Sequence, residues 1–124
     1  MPDSAPFLLP DEVMSLKGTP YTECAMLVSQ VFLGDEVPRD VLARIVEDSY
    51  DFPVPLEQVI NRRYIMRLDR GPTASFKDFA ARMMARLMSY FRGEGKKLNV
   101  LVATSGDTGS AVGEAFKGVP GIGV

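Results

Sequence analysis

The sequence contains no histidine, no tryptophan and a single cysteine, and these absences remove several kinds of site. Zinc centres built on cysteine and histidine cannot be assembled from these residues, nor can Ser-His-Asp or Cys-His catalytic groups. Cys24 has no partner for an internal disulfide, and we expect it to pack in a helix as a small apolar residue. No metal site is predicted.

Basic charge and long apolar runs are also scarce. The net charge is -2 and the pI is near 5.1, so there is no basic surface to favour binding of nucleic acid. No segment approaches the roughly 18 apolar residues of a membrane span, and the first residues do not read as a secretory signal. We therefore predict a cytoplasmic protein. With 46% hydrophobic residues in 124, the chain can build a globular core.

Residues 1–55 predict a small helical region. Thr19-Pro20 is typical of a helix start and Gly34 of its end, while a second helix is expected after Pro38. The sequence DFPVP at 51–55 breaks the helical pattern because proline lacks an amide donor and restricts the residue before it. We place a boundary there, with 56–124 as a second region. The apolar face of the second helix is predicted to comprise Val41, Leu42, Ile45, Val46 and Tyr50.

Residues 56–124 predict an α/β unit of the order βαβα. Strands are expected at 64–68 and 98–103, each followed by a helix. The second run is apolar almost without alternation, which is typical of a parallel strand covered on both faces. The first of these helices should run from Ser75 to Gly93. Its predicted core stripe comprises Phe76, Phe79, Ala80, Met83, Met84, Leu87, Tyr90 and Phe91.

Lys77 is the candidate catalytic residue of this helix. Ser75 and Asp78 have the spacing of a capping box, in which the serine accepts from a backbone N–H and the aspartate reaches back to the cap. Lys77 then lies in the first turn, where the positive end of the helix dipole favours the neutral amine that attacks an aldehyde. From the residues alone, a lysine that simply points into water explains the position as well.

The segment 103–110, ATSGDTGS, joins the second strand to its helix. Its glycines allow a tight turn, and the N–H groups of a helix start, with nearby hydroxyls, can hold a carboxylate or phosphate. The glycine spacing matches neither a dinucleotide fingerprint nor a Walker loop. An ordinary capped turn remains the alternative at this point.

Two motifs resemble those of threonine synthases: GPTASFKDF at 71–79 and ATSGDTGSA at 103–111. The stretch at 34–52 is also similar to the helical N-terminal region of that family. The resemblance implies a fold-type II (tryptophan synthase β-like) enzyme dependent on pyridoxal 5'-phosphate. It implies a carbon-oxygen lyase that converts O-phospho-L-homoserine and water to L-threonine and phosphate, the last step of threonine biosynthesis.

The resemblance also implies roles for individual residues. Lys77 would bind the cofactor as a Schiff base and then serve as acid and base. Asp107 would in addition lie near the ring hydroxyl of the cofactor. Arg70 stands where many family members have histidine, so no role is carried over to it. The residues that match the substrate-carboxylate loop are Thr104, Ser105, Gly106, Asp107 and Thr108.

Residues 119–124 are interpreted as the approach to a further strand, before any glycine-rich cup for the cofactor phosphate. We therefore expect an N-terminal fragment whose 124 residues are inactive alone. Two other hypotheses stay open: another fold-type II enzyme, such as a dehydratase or a β-replacement synthase, and a non-catalytic βα binding module.

Overall fold

The structure is a computed structural model that describes residues 7–93 and 95–124. The chain divides into two compact units, one ending at Asp48 and the other beginning at Ser49. Among the described residues, no helix has both the length and the apolar character that a membrane crossing requires. The same residues hold no cluster of acidic, cysteine or histidine side chains that could bind a metal ion.

The first unit is helical. It contains α1 (Pro10–Ser15), α2 (Tyr21–Leu33) and most of α3 (Arg39–Ser49). Helix α2 begins one residue after Pro20 and ends before Gly34, which agrees with the predicted limits. Cys24 is half-buried rather than fully buried, with its Sγ 3.8 Å from Oγ1 of Thr19. The buried apolar residues of this unit are Val37, Leu42, Ile45 and Val46.

The second unit opens with a β-hairpin that the sequence did not predict. Strands β1 (Leu56–Ile60) and β2 (Arg63–Met66) pair antiparallel, and all their residues are exposed. Between them Asn61 has a φ of 50°, a left-handed conformation that asparagine tolerates and that tight hairpin turns require. The expected first strand of a parallel βαβα unit is therefore wrong, because this strand pairs locally with its neighbour.

Helix α4 (Lys77–Phe91) packs against α5 (Asp107–Phe116) to form the core of the second unit. The contact uses small residues, since alanine side chains let two helices approach closely. Phe116, only 1% exposed, is the largest side chain in this core. The fully buried cluster comprises Ala81, Ala85, Ala111, Ala115 and Phe116.

The predicted core stripe of α4 is on the wrong face. None of its eight residues is buried, and Met84 and Phe91 are exposed. Helix α4 is apolar on two sides, and the alanine side is the one that α5 covers. A neighbouring side lines an open groove of about 420 Å³, formed with Tyr50 by Ala80, Met83, Met84, Leu87, Met88 and Phe91, and Met88 also packs against the core.

Strands β3 (Leu98–Asn99) and β4 (Ile122–Gly123) form a short parallel pair. The parallel direction and the further strand near the last residues agree with the prediction, but β3 is shorter than expected. Val100 and Ile122 pack against the α4–α5 core, whereas Leu101 points the other way and is 95% exposed. Coverage of 98–103 on both faces is therefore wrong, because the helices described cover one face only.

Candidate functional site

The loop of residues 71–76, called here the lysine loop, leads into α4 and is sharply turned. The N–H of Ala74 donates to the carbonyl of Gly71 at 3.0 Å. Ala74 has a φ of 55°, a left-handed conformation that costs on the order of 1 kcal/mol for a residue with a Cβ. Strain of this kind persists only where the surrounding contacts hold the backbone in place.

Asp78 supplies those contacts. Its side chain is fully buried, and it accepts hydrogen bonds from the N–H and the hydroxyl of Thr73, at 3.0 and 2.6 Å. The predicted capping box is right in part: Ser75 Oγ accepts from the N–H of Lys77 at 3.3 Å. Asp78, however, reaches past Ser75 to Thr73, because the left-handed Ala74 turns the chain back toward the helix start.

Lys77 is the first residue of α4, and its side chain is 31% exposed. The Nζ atom lies 4.6 Å from the centre of the Phe76 ring, within the range of a cation–π contact. It also lies 3.8 Å from Oδ2 of Asp107, whose side chain is 77% exposed. The fold thus brings together one residue from each of the two motifs, 30 positions apart in sequence.

Residues 104–108, called here the hydroxyl loop, surround the start of α5 and are all exposed. The N–H of Gly106 donates to Thr104 Oγ1 at 3.3 Å, and the carbonyl of Gly106 accepts from Gly109 and Ser110. Within the part of the chain that the structure describes, the N–H groups of Asp107 and Thr108 have no acceptor. Free N–H groups at a helix start are the donors that an anion needs.

Not every predicted site residue contacts Lys77. Over residues 7–93 and 95–124, no hydrogen bond joins Lys77 to Thr104, Ser105 or Thr108. These three belong to the same exposed loop as Asp107. The structure therefore joins the two motifs through the Lys77–Asp107 pair.

Arg70 lies outside this pair, in a charged network at the base of the hairpin. Its Nη2 is 3.9 Å from Glu57, whose carboxylate also accepts from Arg67 at 2.9 Å. Arg67 binds Asp69 as well, at 2.6 Å, and this hydrogen bond is the main cause that lowers the pKa of Asp69 from 3.8 to about 2. The charge of Arg70 lowers the pKa of Asp69 further.

Thr73 and Gly71 are site residues that the sequence reasoning did not single out. A Cβ on Gly71 would collide with the Asp78 carboxylate, and Thr73 donates both hydrogen bonds that Asp78 accepts. Both belong to the motif at 71–79, so the position was visible in sequence. Their joint contact with a buried aspartate was not, because it depends on the left-handed turn at Ala74.

Comparison with known proteins shows which proteins the chain is similar to. The family model for the threonine synthase N terminus matches residues 1–50. Threonine synthase of Haemophilus influenzae is 39% identical over 114 residues, covering 92% of this chain and 27% of the relative. That of Escherichia coli strain K12 is 40% identical over 112 residues, covering 90% and 25%. The chain spans about a quarter of the length of these curated relatives.

Solved structures give the same result. The structure of threonine synthase from Brucella melitensis, which is described as bound to pyridoxal phosphate, matches with a TM-score of 0.90 and 34% identity. Threonine synthase from Escherichia coli matches with a TM-score of 0.87 and 34% identity. Each match covers 98% of this chain and 28% of the other. The fold is of the mixed α/β class found in fold-type II enzymes. Within that class, the chain is similar to threonine synthases over nearly its whole length.

Proposed function

We propose that this chain contributes the cofactor lysine and the substrate loop of a threonine synthase. The reaction would convert O-phospho-L-homoserine and water to L-threonine and phosphate. Residues 56–124 would form the start of the domain that binds pyridoxal 5'-phosphate, after a helical region at 1–55. The observation that carries the proposal is the 3.8 Å approach of Lys77 Nζ to Asp107, which unites the two motifs.

The described residues fit part of this cofactor. Its aldehyde needs a primary amine that is reachable yet held in place, and Lys77 is half-buried at the start of a helix. The carboxylate of Asp107 beside it accepts hydrogen bonds, so it suits a protonated amine or a ring hydroxyl. When bound, pyridoxal phosphate supplies an electron sink for charge that develops on the substrate carbons.

The hydroxyl loop fits the substrate carboxylate. The N–H groups of Asp107 and Thr108 open the first turn of α5, where the helix dipole also favours an anion. Ser105 and Thr108 add exposed hydroxyl groups that can donate to a carboxylate oxygen. With the carboxylate held there, the substrate Cα would be oriented toward the amine of Lys77, which lies at the start of the neighbouring helix α4.

Lys77 would then move protons. A neutral amine at Nζ can take the proton from the substrate Cα and return it to a neighbouring carbon, the task of a general base and acid. The side chain is long enough for Nζ to reach more than one substrate carbon. Because the side chain is half-buried, the positions that Nζ can take are limited. Asp107 can hold the proton-bearing ammonium between steps, since it already faces Nζ across 3.8 Å.

The experiment that tests the proposal is chemical labelling. The chain is incubated with pyridoxal phosphate and reduced with borohydride, and the pyridoxyl group is mapped among the five lysines: Lys17, Lys77, Lys96, Lys97 and Lys117. We expect the label to concentrate on Lys77 and to disappear from that position in K77R. The matched control K117R, at the exposed end of α5, should keep the Lys77 label. Even labelling of all five lysines would contradict the proposal.

A further inference from the structure

Asp78 is a fully buried acid that lies one residue after Lys77 and has no cationic partner in the described part of the chain. Burial of an ionisable group is costly unless hydrogen bonds replace its water. Both of its hydrogen bonds come from Thr73. We infer that Asp78 is a positioning residue, which acts through Thr73 to hold the lysine loop and so to aim the amine of Lys77.

The two hydrogen bonds close a ring of six residues, from Thr73 to Asp78. One bond leaves the backbone of Thr73 and the other its hydroxyl, so the carboxylate fixes both the position and the orientation of that residue. Gly71 completes the arrangement, because any larger residue there would collide with the same carboxylate. The ring encloses Ala74, whose left-handed φ of 55° needs such support.

Lys77 is a member of this ring. Its N–H donates to Ser75 Oγ at 3.3 Å, and its Cα is bonded through one peptide to Asp78. Once the ring is closed, the direction of the Lys77 Cα–Cβ bond is set, and only the side-chain torsions remain free. The carboxylate of Asp78 makes its hydrogen bonds to Thr73 rather than to Nζ of Lys77, so Asp78 acts through the backbone.

This inference rests on the proposed function in one respect, that Lys77 is the lysine that receives the cofactor. Two readouts keep the two claims separable. Amide hydrogen exchange reports whether residues 73–77 are held, with residues 83–90 of α4 as the internal reference. The ratio of pyridoxyl label on Lys77 to label on Lys117 reports whether the amine is aimed.

Three variants of the full 124-residue chain test the ring. D78N keeps the size of the side chain but leaves one acceptor oxygen for the two donors of Thr73, and it removes the negative charge that strengthens both hydrogen bonds. T73V removes only the hydroxyl donor, and T73S retains it. We expect D78N and T73V to speed exchange at 73–77 about tenfold while 83–90 stays unchanged. The Lys77 to Lys117 label ratio should fall about tenfold, and T73S should restore both values.

S15A is the matched control, since it removes a hydroxyl bond to the Glu12 carbonyl, outside both measured segments, and should change neither readout. Wild-type exchange at 73–77 in folded D78N and T73V would overturn the inference. Faster exchange with an unchanged label ratio would also overturn it, because the ring would then be merely structural. If D78N fails to fold, T73V decides, since it leaves the carboxylate intact. If the unmodified chain labels its lysines evenly, the proposed function fails. Hydrogen exchange at 73–77 in T73V and T73S then decides by itself whether the ring holds the lysine loop.

Discussion

The lysine loop and the hydroxyl loop both lead into a helix of the same core, yet they are held to different degrees. The lysine loop contains the buried Ser75, precedes the fully buried Asp78 and keeps one residue in a left-handed conformation. The hydroxyl loop is exposed throughout, and its one side-chain hydrogen bond within the described residues runs from Gly106 to Thr104. The lysine is thus held in place by this chain alone, whereas the loop expected to receive the substrate offers free donors.

The largest effect should come from removing the support that the two loops share. Phe116 fills the core between α4 and α5, and F116A would lose its buried surface and leave a cavity. We expect a loss of about 3–5 kcal/mol in the free energy of unfolding, measured by urea denaturation. Phe91 lies on the open face of α4, so F91A should cost less than about 1 kcal/mol. Equal losses would show that the core assignment is wrong.

A matched pair of glycine substitutions separates the loops directly. G71A would push a methyl group into the Asp78 carboxylate, and we expect a cost of about 1–3 kcal/mol from the forced displacement. G106A in the hydroxyl loop meets no atom within 4 Å and should cost about 0.5 kcal/mol or less. The urea midpoints of the two variants give the comparison. Similar shifts would mean that the loops are equally constrained.

A smaller effect of opposite sign should follow from A74G. Glycine adopts the left-handed conformation without strain, and this gain exceeds the entropy that glycine loses on folding. We expect a net stabilisation of about 0.5 kcal/mol by thermal unfolding. N61G in the hairpin is the control, because asparagine already tolerates its φ of 50°, and it should change stability little. A destabilised A74G would contradict the assignment of strain to the lysine loop.

The smallest effect concerns the charged network that precedes the lysine loop. Because the folded-state pKa of Asp69 is lowered to about 2, its ion pair with Arg67 stabilises the fold above pH 3.8. That contribution is lost as the pH falls from 3.8 through about 2. In D69N the unfolding temperature should therefore fall less steeply over this range than in the unmodified chain. R67Q should likewise make the unfolding temperature fall less steeply as the pH is lowered. If neither variant changes this pH dependence, the ion pair does not contribute to stability.

Much of the site was readable in sequence because it depends on local rules. Glycine and proline positions predicted the limits of α2 and α3 and the end of α4 closely, since those residues end or begin helices through their own backbone restrictions. The serine at the start of α4 was predicted to accept a backbone N–H, and Ser75 accepts that of Lys77. The parallel direction of β3 was predicted as well, but from a coverage of both faces that the described helices do not provide.

The errors arose where several answers satisfy the local pattern. Helix α4 is apolar on two faces, and periodicity cannot tell which of them a neighbour will cover. The run at 64–68 could equally have begun a parallel unit or closed a hairpin, and Asn61 favoured the hairpin. Asp78 was predicted to bond back to the cap at Ser75, but it bonds to Thr73, two residues earlier. The left-handed turn at Ala74 that causes this could not be predicted from the residue types.

The sequence by itself determined the helical segments, the two motifs and the chemistry available at each, since these follow from side-chain type and backbone propensity over a few residues. The tertiary structure alone decided three things: that α5 covers the alanine face of α4, that Lys77 meets Asp107, and that Asp78 closes on Thr73. These depend on distances between atoms far apart in the chain or across a strained turn. Packing, rather than local preference, determines those distances.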